Sequence, residues 1–168
     1  IGNAIDLIIE AGKVDFDKSY ENLANIMQNT SKVVLPGFYG ATPDGNIKTF
    51  SRGGSDITGA IAAAAMNVDM YENWTDVSGI MTADPRIVEN PRPIENVTFA
   101  ELRELSYMGA EVLHEETVFP VRQKNMPLFI KNTNDMNARG SLIMEGFDED
   151  EEGKNVHFIT GISGKKNY

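Results

Sequence analysis

The apolar positions in the first part of the chain recur with the period of a helix in three places. The predicted helices cover residues 1–11, 17–29 and 55–67. Short runs typical of strands cover residues 32–35 and 47–50, and a strong turn signal, Pro43-Asp44-Gly45-Asn46, lies between them. This alternation of helices and strands predicts an α/β fold with its loops gathered at one edge of a sheet.

The rest of the chain is organised around the stretch from Thr49 to Asn67, where a strand end leads through a glycine pair into a helix. Ser55 is the predicted N-cap of that helix, and Asp56 in its first turn suits the positive end of the helix dipole. Backbone N–H groups and Arg52 therefore meet at one point that suits an anion. The alternative, a plain glycine-rich turn that enters a core helix, stays open on these features alone.

The second part of the chain continues the α/β pattern. A helix is predicted to start at the capping box Thr98-Phe-Ala-Glu101 and to run to Gly109, and another is predicted over residues 115–125. The predicted strands cover residues 68–71, 127–131, 141–144 and 156–162. Prolines make residues 79–93 irregular, and residues 147–153 read as a solvated acidic turn or linker.

Composition narrows the class of protein. The 168 residues carry a net charge of −10, which argues against general nucleic-acid binding and against an anionic membrane surface as partner. Cysteine is absent from the sequence, so disulfides and thiolate zinc sites are excluded. His114 and His157 stand apart, and we expect no metal site from them. Without an apolar run long enough for a membrane span or a signal-peptide pattern, we expect a cytoplasmic protein.

Three loops are predicted to leave strand ends, where ligands bind in open α/β sheets: residues 37–40, 51–56 and 75–86. In the third loop Arg86 suits a phosphate, and Asp76 or Asp84 suits ribose or Mg²⁺. The alternative, an Asp-Pro-Arg turn with a surface ion pair, stays open at this point, and the spacing alone favours it. The sequence has neither a GxxxxGK[ST] loop nor a GxGxxG fingerprint. A nucleotide bound by this protein would therefore be held by neither of these two common phosphate-binding motifs.

These loops together resemble the signatures of the aspartokinases, a group within the amino acid kinase family. The resemblance is carried, in order and spacing, by residues 37–40 (GFYG), 49–56 (TFSRGGSD), 74–86 (WTDVSGIMTADPR), 99–101 (FAE) and 109–114 (GAEVLH). It covers roughly residues 33–145 and implies an open, mostly parallel sheet sandwiched by helices. The implied activity is MgATP-dependent phosphorylation of the L-aspartate β-carboxylate to 4-phospho-L-aspartate, the first step of lysine, threonine and methionine biosynthesis.

The resemblance also implies roles for individual residues. The aspartate-binding loop would comprise Arg52, Gly53, Gly54 and Ser55, with Phe38 closing over the substrate. Arg52 would take a substrate carboxylate in a fork, and Asp56 would orient the catalytic lysine and stabilise the transfer geometry. The nucleotide-binding positions would be Thr75 and Asp76 for adenosine, Met81 beside the base, Arg86 for ATP phosphate, and Glu111.

The sequence departs from the family at several of these points. Many relatives have an ATP-contacting lysine where this chain has Glu111, and an acid cannot pair with phosphate. Met81 replaces a tyrosine; it can pack against a base but cannot donate a hydrogen bond. The N-terminal Lys-Phe-Gly-Gly-Thr segment of the family, with its phosphate-binding lysine, does not occur here. We therefore expect a fragment that binds MgADP weakly at best and does not turn over alone.

The expected organisation is a partial kinase domain over residues 1–146, an acidic linker over 147–154, and the start of an ACT regulatory region over 155–168. L-aspartate and ATP are the implied ligands, and pairing of ACT regions implies a homodimer or a higher oligomer of the full protein. Two alternatives stay open: another amino acid kinase, acting on glutamate, acetylglutamate or UMP, and a regulatory or oligomerisation piece. The last is motivated by the predicted edge strand at 156–162.

Overall fold

The computed structural model describes residues 7–10, 13–28, 30–50, 53–107, 113, 115–147 and 160–162. In chain order its elements are β1 (Ile9–Glu10), β2 (Lys13–Val14), α1 (Phe16–Met27), β3 (Tyr39–Ala41), β4 (Ile47–Thr49), α2 (Gly54–Met66), β5 (Tyr71–Thr75), β6 (Asn96–Thr98), α3 (Phe99–Tyr107), α4 (Glu115–Gln123), β7 (Leu128–Asn132) and β8 (Ser141–Met144). They fall into two compact units. The first unit comprises Ile1–Tyr71 with Glu116–Met126, and the second comprises Glu72–Glu115 with Pro127–Tyr168.

The first unit is built on the packing of α1 against α2. Leu7, Leu23 and Ile61 form its buried centre, because the apolar faces of both helices point inward as their periodicity predicts. The antiparallel hairpin of β3 and β4, with Tyr39 opposite Thr49, confirms the predicted turn between them.

Capping explains where the helices of the first unit begin and end. The Asp15 carboxylate accepts from the Lys18 N–H at 3.1 Å and starts α1. Gly53, in the left-handed conformation, is the N-cap of α2, and it makes no side-chain cap hydrogen bond. The prediction that Ser55 caps α2 is therefore wrong, since Ser55 already lies within the helix. Asn67, also left-handed, ends α2.

Two predictions for the first unit are corrected by the structure. Residues 7–10 do not continue a helix, because β1 and β2 form a tight antiparallel pair, with Ile9 opposite Val14. Residues 32–35 form no strand; their backbone is irregular. Both segments are apolar and short, and such segments do not by themselves distinguish helix, strand and buried loop.

The second unit is a four-stranded sheet in the order β5-β7-β8-β6. β6 and β8 are parallel, and β7 and β8 are antiparallel. Alternate positions of β7 are buried, and α3 packs against β6 and β8. Together with the two helices of the first unit, this arrangement confirms the predicted α/β fold.

The capping box that starts α3 forms as predicted. The N–H of Thr98 donates to Glu101 Oε2 at 2.8 Å, and the N–H of Glu101 donates to Thr98 Oγ1 at 3.2 Å. The strand predicted over 68–71 instead lies at Tyr71–Thr75, so residues 72–75 belong to the strand and do not follow it. Of the predicted strand 156–162, only residues 160–162 are described, and Ile162 forms a parallel bridge with Ala83. Among the described residues, no helix is long and apolar enough to cross a membrane.

Candidate active-site loops

In the first unit, Phe38 is tied to the N-terminus of α2. Its N–H lies 3.3 Å from the hydroxyl of Thr58 and 3.4 Å from the carbonyl of Gly54. Its carbonyl accepts from the N–H of Phe50 at 2.9 Å. These contacts hold the segment before β3, the segment after β4 and the first turn of α2 side by side.

The glycines of this loop are required by close approach. Gly53 has φ +60°, and a Cβ there would lie 2.6 Å from Thr117 Cγ2. A Cβ on Gly54 would lie 2.8 Å from the Phe38 ring and 3.0 Å from the Cβ of Phe50. No side chain fits at either position, so the backbone itself lines this end of the helix.

The polar groups of the loop surround the same helix end. Ser55 is exposed in the first turn, and Asp56 Oδ2 lies 3.4 Å from the point where a Gly53 Cβ would stand. The carbonyl of Asp56 is within 3.3 Å of the Tyr71 hydroxyl, which fixes the first turn from the side. Unpaired N–H groups of a first helical turn favour an anion, so the loop has the chemistry of a carboxylate or phosphate site.

Phe38 has φ +80° although it is not a glycine, and its side chain is 49% exposed. A bulky residue in this conformation is strained, and such strain is concentrated at ligand sites.

Of the residues predicted for the aspartate site, the structure brings Phe38 together with Gly53, Gly54, Ser55 and Asp56 at the start of α2. Arg52, the fork predicted for a substrate carboxylate, lies outside the described residues. The loop at 37–40 leads into β3 and does not leave a strand end, so that part of the prediction is wrong.

In the second unit, residues 75–86 leave the end of β5 as predicted. The carbonyl of Thr75 accepts from the N–H and the hydroxyl of Thr133, at 2.8 and 2.9 Å. The side-chain amide of Asn132 donates to Ser78 Oγ at 2.8 Å. The residues at the end of β7 thus hold the first half of the loop; Thr75 and Asp76 are adjacent, and their side chains lie 3.3 Å apart.

The middle of the loop is anchored to β8. Gly79 has φ +99°, and a Cβ there would lie 2.5 Å from Ser141 Oγ. The Ser141 hydroxyl accepts from the Ile80 N–H at 2.8 Å, and Ile80 is fully buried. The next residue, Met81, is half-buried, and its backbone forms an antiparallel bridge with Pro93. The bridge fixes the backbone of Met81, while the side chain of Met81 still reaches the surface.

At the end of the loop Arg86 pairs with Asp84. The Arg86 Nε lies 2.9 and 3.0 Å from the two carboxylate oxygens, and Nη2 lies 2.6 Å from Oδ2. The ion pair that the sequence left as an alternative is therefore present. The pair is compatible with a phosphate contact of the same side chain, because a guanidinium offers five N–H donors.

Several residues that hold these loops were not singled out in the sequence. Thr58 and Thr117 support the first loop, and Asn132, Thr133 and Ser141 support the second. Their signal is weak, because buried Ser, Thr and Asn at strand and helix ends are common. Asn132 and Thr133 are the exception. They are two adjacent polar residues at the end of an apolar strand, and a search for polar residues at strand ends would have identified them.

A second group, of which only Trp74 belonged to a predicted motif, lies on one face of β5 and β7. The Trp74 indole N–H donates to Glu72 at 3.0 Å, and Lys131 Nζ lies 3.7 Å from Glu72. The same Nζ lies 5.2 Å from the Trp74 ring centroid and 4.9 Å from that of Phe129. The indole of Trp74 is thus held in place by a hydrogen bond and a cation–π contact, directly before Thr75 in the chain. The sequence does contain a sign of this group: in a strand the side chains of Phe129 and Lys131, two residues apart, lie on the same face.

Glu111, a predicted nucleotide-binding residue, lies outside the described residues, and so do the two histidines, His114 and His157. In the part of the chain that the structure describes, no three His, Cys, Asp or Glu side chains cluster as metal ligands.

Comparison with known proteins identifies similar sequences. The amino acid kinase family model matches residues 3–132. Aspartokinase 3 of Bacillus subtilis is 43% identical over 131 residues, which are 78% of this chain and 29% of that protein. Lysine-sensitive aspartokinase 3 of Escherichia coli is 39% identical over 115 residues, which are 68% of this chain and 26% of that protein.

Solved structures give the same result. Aspartate kinase of Clostridium acetobutylicum is 50% identical with a TM-score of 0.75, over 86% of this chain and 32% of that one. Aspartokinase III of Escherichia coli in complex with aspartate and ADP is 32% identical with a TM-score of 0.79, over 86% of this chain and 34% of that one. The chain thus spans about a third or less of the length of these relatives.

Proposed function

This chain belongs to the amino acid kinase family, and from that premise we propose that it is part of an aspartokinase. The reaction is phosphorylation of the β-carboxylate of L-aspartate by MgATP, which gives 4-phospho-L-aspartate for lysine, threonine and methionine biosynthesis in the cytoplasm. The observation that carries the proposal is the convergence of Phe38, Gly53, Gly54, Ser55 and Asp56 at the N-terminus of α2.

The first loop supplies the aspartate site in this proposal. Backbone N–H groups of the first turn of α2 favour a carboxylate, and the glycines let the substrate approach the backbone closely. Arg52 adds a bidentate contact to one substrate carboxylate. Phe38, with its exposed ring, covers the substrate and excludes water from it.

The second loop supplies nucleotide contacts. Thr75 and Asp76 bind adenosine, Met81 packs beside the base, and Arg86 binds a phosphate. Mg²⁺ is commonly held mainly through substrate phosphates and water, so it would enter this site together with ATP. When it is bound with ATP, Mg²⁺ neutralises phosphate charge.

The chemistry requires positioning more than covalent participation by the protein. A carboxylate oxygen and the γ-phosphate, both anionic, must be held in line while negative charge builds on the transferring oxygens. Arg52 and the N-terminus of α2 supply positive potential for the carboxylate, and Arg86 supplies it for a phosphate. Asp56 orients a catalytic lysine, which belongs to the N-terminal segment of the family and does not occur in this sequence. We accordingly expect no turnover by this chain alone.

The proposed organisation follows the family. Residues 1–146 form part of the kinase domain, 147–154 an acidic linker, and 155–168 the start of an ACT region through which the full protein forms a dimer or a higher oligomer. The bridge between Ile162 and Ala83 supports a strand that starts near residue 160 in the second unit.

Calorimetric titration of this chain with MgADP tests the nucleotide part of the proposal. Saturable binding that is lost in Arg86→Ala supports it. The matched control is Arg103→Ala, because Arg103 is an exposed arginine of the same unit that pairs with Glu104 at 3.2 Å and lies on α3, outside the loop. Absence of MgADP binding by the folded chain, or equal weakening by both variants, contradicts the nucleotide assignment.

A substrate panel on the complete protein tests the choice of acceptor. Aspartate, glutamate, acetylglutamate and UMP are compared at equal concentration. Phosphorylation of aspartate alone is the expected result, and Phe38→Ala should raise the KM for aspartate and leave that for ATP unchanged. If the protein phosphorylates one of the other acceptors in preference to aspartate, the aspartokinase assignment is wrong, and the protein is a different kinase of the amino acid kinase family.

A further inference from the structure

The ion pair at the end of the nucleotide loop joins two side chains with very different exposure. The side chain of Arg86 is 82% exposed, whereas that of Asp84 is only 15% exposed. The contacts with the carboxylate engage Nε and Nη2 of the guanidinium, at 2.6 to 3.0 Å. This is the side-on, bidentate geometry, which fixes the plane of the guanidinium as well as its position.

Asp84 is itself fixed by the backbone around it. Its Oδ1 accepts from the N–H of Arg86 at 2.8 Å, so the carboxylate closes an Asx turn over Pro85. Its carbonyl accepts from the N–H groups of Ile87 and Val88, both at 2.9 Å. The carboxylate thus has a defined place before any ligand arrives, and Arg86 is oriented from that place.

An exposed arginine without such a partner would lose much rotamer freedom on binding a phosphate, and that loss would reduce affinity. The carboxylate removes part of this freedom in advance. It also attracts the same cation that a phosphate needs, so it opposes binding to some extent. Two features favour preorganisation over competition: the Arg86 side chain stays 82% exposed while the carboxylate holds it, and a diphosphate carries more charge than a carboxylate.

We propose that Asp84 is a positioning residue that holds the guanidinium of Arg86 ready for a nucleotide phosphate. This inference rests on the proposed function, because it takes the phosphate contact of Arg86 as given. Asp84 does not touch the nucleotide. Its contribution is therefore confined to ligands that carry phosphate and is absent for adenosine.

The test compares Asp84→Asn with a matched control. Asparagine keeps an oxygen that can accept from the Arg86 N–H, but it replaces the charge and the second carboxylate oxygen, which accepts from the guanidinium, by an NH₂ group that can only donate. Asp135→Asn is the control, since Asp135 closes the same kind of turn in the same unit, accepting from the Asn137 N–H at 3.1 Å. MgADP and adenosine affinities are measured by calorimetry on the chain described here. We expect Asp84→Asn to weaken MgADP binding about fivefold, as for loss of a charge-assisted bidentate pair, with adenosine binding unchanged. Asp135→Asn should change neither affinity.

A second readout does not depend on any ligand. In the ligand-free chain the Arg86 Nε–Hε resonance should be resolved and slow to exchange, and Asp84→Asn should abolish that protection. A wild-type resonance that exchanges as fast as those of other exposed arginines overturns the inference.

The outcomes separate this inference from the function on which it rests. If the wild-type chain binds neither MgADP nor adenosine, the proposed function fails and the inference fails with it. If the wild type binds MgADP and Asp84→Asn binds it equally well or more tightly, the function stands and only the inference is overturned. Equal weakening of MgADP and adenosine also overturns it, because that result shows a general structural effect.

Discussion

Thr133 donates two hydrogen bonds to a single acceptor, the carbonyl oxygen of Thr75, from its N–H at 2.8 Å and from its hydroxyl at 2.9 Å. The first residue after β7 therefore sets the backbone position of the last residue of β5. Asn132 adds a contact to Ser78 three residues further along the loop. The nucleotide loop of the proposed function is thus held by a neighbouring strand at its very start.

Replacement of Thr133 by Val removes the hydroxyl and keeps the shape of the side chain. One hydrogen bond to the Thr75 carbonyl is lost, and we expect a loss of about 0.5–1.5 kcal/mol in the free energy of unfolding. MgADP affinity should fall in parallel, because the loop is less well held. Urea unfolding and calorimetry measure the two effects. Thr133→Ser keeps the hydroxyl and should remain near wild type in both; if it matches Thr133→Val, the hydroxyl has no such role.

Gly79 combines a left-handed backbone with a lack of space. Alanine there has φ +99° and a Cβ 2.5 Å from Ser141 Oγ, so the anchor of the loop on β8 must shift. We expect Gly79→Ala to lower the free energy of unfolding by about 2–4 kcal/mol, as for strain combined with overpacking. Urea unfolding measures the change.

Gly45→Ala separates the two contributions. Gly45 has φ +86°, but no heavy atom lies within 4 Å of a Cβ there. This variant carries the backbone strain without the collision, so it should cost about 1–2 kcal/mol. An equal loss for both variants would mean that the contact of Gly79 with Ser141 contributes nothing.

Much of this architecture is readable from local sequence. The capping box Thr98–Glu101 starts α3 as predicted, because both its hydrogen bonds are made within one turn. The turn at 43–46 joins β3 and β4, because Gly45 supplies the positive φ that the turn requires. The residues of the two candidate loops were identified from their motifs. The structure places Phe38 beside Gly54 in the first loop and pairs Arg86 with Asp84 in the second.

What the sequence did not reveal depends on which contacts the chain makes, both nearby and far along the sequence. The spacing of Ile5, Ile8 and Ile9 predicted a helix, yet the Asp15 N–H donates to the Ile8 carbonyl and closes a tight β1–β2 pair. Ser55 has the chemistry of an N-cap, but Phe38 and Thr117 occupy the space around Gly53 and Gly54 and move the helix start earlier. The supports Asn132, Thr133 and Ser141 could not be assigned, because their partners lie some 50 residues or more away in sequence.

Asn67 offers a simple test of the helix end. It ends α2 at φ +48° and ψ +49°, and its N–H lies close to the carbonyls of Ala63 and Ala64. Alanine tolerates this conformation poorly, so Asn67→Ala should cost about 1–2 kcal/mol of stability. Asn67→Gly should be equal to wild type or more stable, because glycine is the preferred residue there. Thermal unfolding compares the two variants, and greater stability of the alanine variant would contradict the left-handed assignment.

Glu101 makes the stability of the second unit dependent on pH. Burial tends to raise the pKa of Glu101, but hydrogen bonds from the Thr160 hydroxyl and from the N–H and hydroxyl of Thr98 outweigh it and leave the pKa below its ordinary value. A carboxyl with a depressed folded pKa stabilises the fold fully above its unfolded pKa, and the stabilisation is lost as pH falls through the folded pKa. Glu101→Gln keeps a capping-box side chain and removes the charge.

The difference in unfolding free energy between wild type and Glu101→Gln therefore isolates this one carboxyl from all the other acids of the chain. At neutral pH wild type should have the larger free energy of unfolding of the two, because the carboxylate of Glu101 accepts all three hydrogen bonds there. The difference should shrink towards zero in acid, once Glu101 is protonated in both the folded and the unfolded state. Thr160→Val should shrink the same difference at neutral pH, because it removes the strongest of the interactions that lower the pKa. Urea unfolding across a pH series compares wild type, Glu101→Gln, Thr160→Val and the double variant, so that the Glu101→Gln difference is measured in both backgrounds. A difference that does not change with pH would show that the glutamate acts by shape alone, and that Thr160 does not hold its charge.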